Sequence, residues 1–145
     1  MKYLKNILLF MFLICVILIS NGCKVEKVSD EDNIMELYAE IIKSFENKDI
    51  KTSMQFISKE FESNVKDQSN YTEVYLYRQS LFRNENILSV DIRDLKVELQ
   101  EKKAVVSYDF HLKLFNRQKN WSEIDTLIRE DGEWKIVTWK ILGDI

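Results

Sequence analysis

The side chains able to do chemistry are few and scattered. The 145-residue chain holds one histidine, His111, and two cysteines, Cys15 and Cys23. A zinc or iron–sulfur centre takes about four such ligands, so no metal site and no cofactor is expected. The glycines, Gly22, Gly132 and Gly143, stand apart and form no phosphate-cradling loop. No Ser/His/Asp set is readable. Asp125 is the best candidate for a general base. It lies on an alternating strand near Leu127, with Trp134 and Ile136 across the last hairpin. Desolvation by such walls raises a carboxyl pKa. Its competing role is a surface pairing with Thr138 or Lys140. His111 shares strand parity with Asp109 and Lys113, which puts it on a polar face. Tyr38, Tyr75 and Tyr77 occupy helical positions near a pocket mouth, where core packing with hydroxyls reaching water also accounts for them. Arg78 is an anion-binding candidate, against an ion pair with Glu73 or Asp91. The pocket candidates are therefore Tyr38, Tyr75, Arg78, Asp125, Leu127, Trp134 and Ile136.

Three helices and a set of strands must position these groups. Ile34, Leu37, Tyr38, Ile41, Ile42 and Phe45 follow helical spacing and predict an amphipathic helix, capped by Ser29 or Asp30. Asn47-Lys48-Asp49 ends it. Asp49 can cap a second helix with Ile50, Met54, Ile57 and Phe61 on its buried face. Residues 62–70 are polar and read as a loop. Asn70 or Thr72 can cap a third helix carrying Val74, Tyr75, Arg78, Leu81 and Phe82.

The pattern then turns to period two. Leu88, Val90 and Ile92 alternate, and Leu95, Val97 and Leu99 resume in the opposite parity, so a bulge is expected near Asp94. Val106 to Leu114 alternates over a long strand. Residues 121–130 and 133–142 form the last pair, joined at Asp131-Gly132, a dipeptide that suits a type I′ turn. A two-residue turn sets Leu127 opposite Ile136, Arg129 opposite Trp134 and Asp125 opposite Thr138. It also sets Ile124 beside Trp139, Thr126 beside Val137 and Ser122 beside Ile141. Trp134 and Ile136 then face inward and Trp139 outward. Helices followed by an antiparallel meander make the fold class α+β, with the N-terminal helices packed in the concave face of a curved sheet.

Met1 to Cys23 has a separate character. Lys2 and Lys5 precede an unbroken apolar run from Ile7 to Ile19, then Ser20-Asn21-Gly22-Cys23. A membrane-spanning helix needs about 20 apolar residues, and this run has the length and flanks of a secretory signal instead. Gly22-Cys23 resembles the end of a bacterial lipoprotein signal peptide, where a small residue precedes the acylated cysteine; Ser20 departs from the usual leucine. The resemblance implies residues 1–22 as a cleaved signal peptide, 23–32 as a lipidated tether and 33–145 as the domain. Plain secretion, with Cys23 a free thiol, and an uncleaved anchor are the other readings. Cys15 leaves with the signal, so no intramolecular disulfide can form in the mature chain. Beyond residue 22 the chain carries 19 Lys+Arg against 24 Asp+Glu. That acidic balance argues against a nucleic-acid partner.

The phrase Phe45-Glu46-Asn47-Lys48-Asp49, followed by Phe56 and Phe61, and the closing Asp131-Gly132-Glu133-Trp134-Lys135-Ile136-Val137 resemble the nuclear transport factor 2-like superfamily, which includes SnoaL-like and ketosteroid isomerase-like domains. The resemblance implies a cone in which a curved sheet wraps around helices and leaves a pocket at its open end. Members include isomerases, dehydratases, polyketide cyclases and non-catalytic assembly domains, so the fold does not choose the chemistry. The expectation is a membrane-anchored binding or assembly module for a small apolar ligand or a protein partner, either a second copy or an envelope protein. The alternative is a small isomerase or dehydratase using Asp125. For the anchor, Cys23→Ala is expected to leave the precursor unacylated and unprocessed by lipoprotein signal peptidase. Intact-mass analysis of the membrane fraction checks this, and unchanged processing would contradict it.

Overall fold

Helix α1 (Asp30–Glu46) opens with a capping box. The Ser29 hydroxyl accepts from the Asp32 N–H at 3.1 Å, and the Asp32 carboxylate accepts from the Ser29 N–H at 3.3 Å. Two of the orphan N–H groups at the helix start are thereby satisfied. The computed structural model describes residues 29–144, so Cys23 and the apolar run before it lie outside the described residues. Ile34, Leu37, Tyr38, Ile41 and Phe45 form the buried stripe of α1. Asp49 caps a short helix α2 (Ile50–Gln55), its carboxylate accepting from the Thr52 N–H at 3.1 Å. Helix α2 ends before Ile57 and Phe61, which lie in the connecting segment yet are buried all the same. Asn70 caps helix α3 (Tyr71–Asn84).

Four antiparallel strands complete the chain in the order β1 (Ile87–Leu99), β2 (Lys103–Leu114), β3 (Gln118–Glu130) and β4 (Glu133–Asp144). The parity slip in β1 is a real irregularity: the register shifts between Arg93 and Lys96, and Asp94 has φ 51°. The β3–β4 turn has positive φ at both central residues, Asp131 at 51° and Gly132 at 86°, as a type I′ turn demands. On β2, Ala104, Val106, Tyr108, Phe110, Leu112 and Leu114 all point into the core, and the intervening residues face outward. Among the described residues no helix is long and apolar enough to cross a membrane.

The register of the last hairpin differs from a simple two-residue extrapolation. Leu127–Ile136 and Arg129–Trp134 pair as expected, but Thr126 then pairs with Thr138 and Asp125 with Trp139. Val137 is the extra residue of a β-bulge, and it reverses the facing of the later residues of β4. The pairings expected for Asp125, Ile124, Thr126 and Ser122 are therefore replaced: Ile124 pairs with Lys140, and Ser122 with Gly143 after a second shift. Trp139, expected outward, is buried on the inner face. Bonds from outside the hairpin meet β4 at the bulge. The segment after α2 binds the free edge of β4: the Ile136 N–H donates to the Phe56 carbonyl at 2.8 Å, Ser58 N–H reaches the Ile136 carbonyl at 2.9 Å, and Glu62 N–H reaches the Val137 carbonyl at 3.0 Å. These bonds cover the edge at the bulge. They also bring Phe61 against the Trp139 ring, centroids 4.3 Å apart.

Candidate functional site

The inner face of β3 alternates Trp121, Glu123, Asp125 and Leu127, and α1 lies across it. A helix packed over a strand brings side chains of opposite elements within reach, and here the contact is polar. Tyr38 of α1 donates its hydroxyl to Asp125 Oδ2 at 2.5 Å, and Tyr108 of β2 donates to the same oxygen at 3.0 Å. The two rings meet edge to face, centroids 5.1 Å apart. Asp125 is 0% exposed, and its Oδ1 has no hydrogen-bond partner among the described residues. Burial pushes its carboxyl well above the ordinary range, and the charge of neighbouring Glu123 pushes it further; the tyrosine hydroxyls oppose this. Glu123 is raised as well, mainly by burial, but the Trp121 indole N–H donates to its Oε2 at 2.6 Å and opposes the rise. The two carboxyls thus sit in unequal settings. Burial and the neighbouring carboxyl favour the protonated form of Asp125, while the Trp121 indole favours the charged form of Glu123. The tyrosines stay neutral donors, since burial and these carboxyls raise both hydroxyls.

Arg78 of α3 enters the same space. It is 6% exposed and donates from Nη1 to the Ser53 carbonyl of α2. Its guanidinium lies over the rings of Phe45, at 5.2 Å, and Trp139, at 5.7 Å. Burial lowers its pKa to about 10, with the negative charge of Glu123 acting against the drop. Arg78, Glu123 and Asp125 share a cavity of about 490 Å3, walled by Phe45, Tyr77, Phe110, Trp121 and Trp139 and rimmed by Gln68, Lys119 and Ile141. Phe110 stacks on Trp121 in the cavity wall, centroids 4.6 Å apart and planes at 26°.

The sequence-derived candidates are distributed unequally around this site. Asp125, Arg78 and Ile136 line the cavity, and Tyr38 reaches it through its bond to Asp125. Asp125 is neither at the surface nor paired with Thr138 or Lys140; the bulge sets Trp139 across from it. Arg78 makes no ion pair with Glu73 or Asp91, because Asp91 pairs with Arg93 and Glu73 accepts from Ser69. Leu127 is solid core at 0% exposure. Tyr75 faces away, into a separate hollow with Tyr71, Met54 and Lys135. Trp134 lines a third hollow beneath Arg129, near Asn33 and Gly132. His111 is half-buried on the outer face, its Nδ1 3.1 Å from Asn120 Oδ1. No group of three or more metal-ligating side chains occurs among the described residues. Glu123, Trp121 and Tyr108 are site residues that sequence reasoning missed. Glu123 had a readable signal, since it stands two residues before Asp125 on the same strand face.

Three helices followed by a four-stranded antiparallel sheet are the architecture of the nuclear transport factor 2-like fold. The model of the SnoaL-like domain family matches residues 34–141, and the chain belongs to that family. No curated protein sequence matches it. Among solved structures it is similar to Bd1075 of Bdellovibrio bacteriovorus (TM-score 0.69, 14% identity), covering 81% of this chain and 45% of that one. It is similar also to a nuclear transport factor 2-like protein of Cytophaga hutchinsonii (TM-score 0.67, 13% identity; 79% and 98% covered). A third, of unknown function, comes from Shewanella oneidensis (TM-score 0.62, 16% identity; 78% and 98% covered). At these identities the likeness is one of fold.

The buried carboxyl has a measurable signature. Asp125 holds its proton to higher pH when folded than in the unfolded chain, where an aspartate titrates near 3.9. Between those two values folding takes up a proton, so stability falls as pH rises. Asp125→Asn keeps an acceptor for both tyrosines and removes the titration. From about pH 4.5 to about pH 7.5 the urea midpoint of the unaltered chain should fall relative to that of Asp125→Asn. Midpoints running parallel across that window would show a carboxyl that ionises alike in both states.

Proposed function

We propose that this chain is an exported lipoprotein, held to a bacterial membrane through acylated Cys23, whose cone binds a small and largely apolar ligand near the envelope. The binding reading is carried by one observation: an open cavity of about 490 Å3 with aromatic walls and a polar floor. Small-molecule sites commonly occupy about 300–1,000 Å3 and combine apolar walls with a few placed polar groups. A purely structural accessory subunit would fill its cone with side chains, and this one is open. The anchor reading is supported by the sequence context of Cys23. Helix α1 begins at Asp30, so the chain between the lipid and the cone reaches at most roughly 23 Å. A protein partner, whether a second copy or another envelope protein, would meet the exposed apolar groups outside the cone, of which Phe115 is the most prominent at 76% exposure.

A second reading, an isomerase or dehydratase, is favoured by the carboxyl pair itself. A protonated acid and an ionised base side by side under two tyrosine hydroxyls can move a proton to and from a bound molecule. If any turnover is detected, Asp125→Asn is expected to lower it at least a hundredfold; full activity in that variant would remove the enzyme reading. The binding reading is tested with 2-naphthamide, titrated calorimetrically into the full chain in nanodiscs with empty nanodiscs as blank. Saturable one-to-one binding is expected. Ile141→Trp, which narrows the mouth at a rim position 37% exposed, should weaken it more than tenfold without lowering the thermal midpoint. Absence of saturable binding of 2-naphthamide, of its carboxylate analogue 2-naphthoate and of octanoate alike would contradict the cavity as a ligand site.

A further inference from the structure

We infer that the ligand of this cavity is a flat-ringed organic carboxylate, with the carboxylate seated on Arg78 and the ring between the aromatic walls. The inference rests on the binding reading above and adds to it the chemical class of the ligand. It starts from a buried cation whose desolvation the charge of Glu123 offsets only in part. Arg78 is nine-tenths buried, yet it makes no ion pair within 4 Å among the described residues. A guanidinium carries five N–H donors. The hydrogen bond it makes among the described residues is the one from Nη1 to the Ser53 carbonyl. Nη2 and Nε make no hydrogen bond among the described residues, and the side chain lines the cavity. A buried cation without a counter-ion is costly, and an incoming carboxylate removes that cost while accepting two parallel N–H bonds.

The charges around the cavity agree with a single anion. Arg78 and Lys119 are the cations of its lining, Glu123 and Asp125 are its carboxyls, and burial favours the neutral form of Asp125. Glu123 does not fill the role of the missing counter-ion. Its Oε2 is engaged by the Trp121 indole, and it stands outside ion-pair distance of Arg78. Protonated Asp125 adds a donor and no repulsion. The walls indicate the body of the ligand. Arg78 already lies over Phe45 and Trp139, while Phe110 and Trp121, stacked on each other, are part of the same lining. A planar ring gains offset stacking there that a flexible acyl chain cannot.

The test uses the full chain in nanodiscs and three probes: 2-naphthoate, its neutral analogue 2-naphthamide, and octanoate. 2-Naphthoate is expected to bind at least tenfold tighter than 2-naphthamide and tighter than octanoate. Arg78→Gln should remove the preference for naphthoate over the amide, and Glu123→Gln should tighten naphthoate binding severalfold. The comparison of probes on the unaltered chain needs no variant, so it holds even where Arg78→Gln fails to fold. Equal affinity for naphthoate and naphthamide would overturn the carboxylate while leaving the cavity a ligand site. Tighter binding of octanoate than of naphthoate would overturn the ring. Binding of none of the three would overturn both this inference and the binding reading beneath it.

Discussion

A carboxyl group cut off from water sits where the first helix crosses the sheet, and the interior of the cone is arranged around keeping it uncharged. Asp125 accepts from Tyr38 on α1 and Tyr108 on β2 at one oxygen. That single atom ties the helix layer to two strands. An ionised carboxylate at 0% exposure would carry a desolvation penalty of several kcal/mol that two neutral hydroxyls only partly offset. Glu123, next on the same face, makes ionisation of Asp125 less favourable still. Burial favours the neutral acid at Asp125, and the Trp121 indole favours the charged form of Glu123.

The bulge at Val137 decides what else surrounds that pair. Without the extra residue, Trp139 would lie on the outer face and Asp125 would oppose a threonine. With it, Trp139 closes one side of the cavity and meets both Phe61 and Arg78. The segment between α2 and α3 does two things at once. It pairs with the edge of β4, and it delivers Phe61 to the indole that the bulge has turned inward. Edge protection and the shape of the pocket therefore have the same source.

The interior holds both a polar floor and an apolar wall, and this combination separates the cone from a plugged scaffold. Arg78 shows how closely the two are joined. Its guanidinium is held by a backbone carbonyl on α2 and by ring faces from α1 and β4, not by a carboxylate. Ring faces attract the cation but do not satisfy its N–H groups. Such an arrangement keeps the cation available to something that enters the cavity.

The order of elements, the caps at Ser29, Asp49 and Asn70, the bulge at Asp94 and the type I′ turn at Asp131-Gly132 were all legible, because each depends on the chemistry of a few adjacent residues. The parity of β2 and β3 was legible for the same reason. It marked Asp125 as inward beside Leu127, and Glu123 shares that parity. The features beyond reach depend on residues far apart in the chain. The shift at Val137 coincides with bonds from a segment about 75 residues upstream, and no local pattern announces it. Arg78 has no acid within ion-pair distance among the described residues, where the sequence suggested Glu73 or Asp91, which bind Ser69 and Arg93 instead. Tyr75 and Tyr77 lie two residues apart on α3, so they point in different directions, and only the packing of that helix settles which one meets the cavity. Sequence determined which faces are apolar and where the chain turns, since those are short-range matters of solvation and backbone geometry. Tertiary structure alone decided which polar groups meet inside, because burial and partnership belong to the assembled fold.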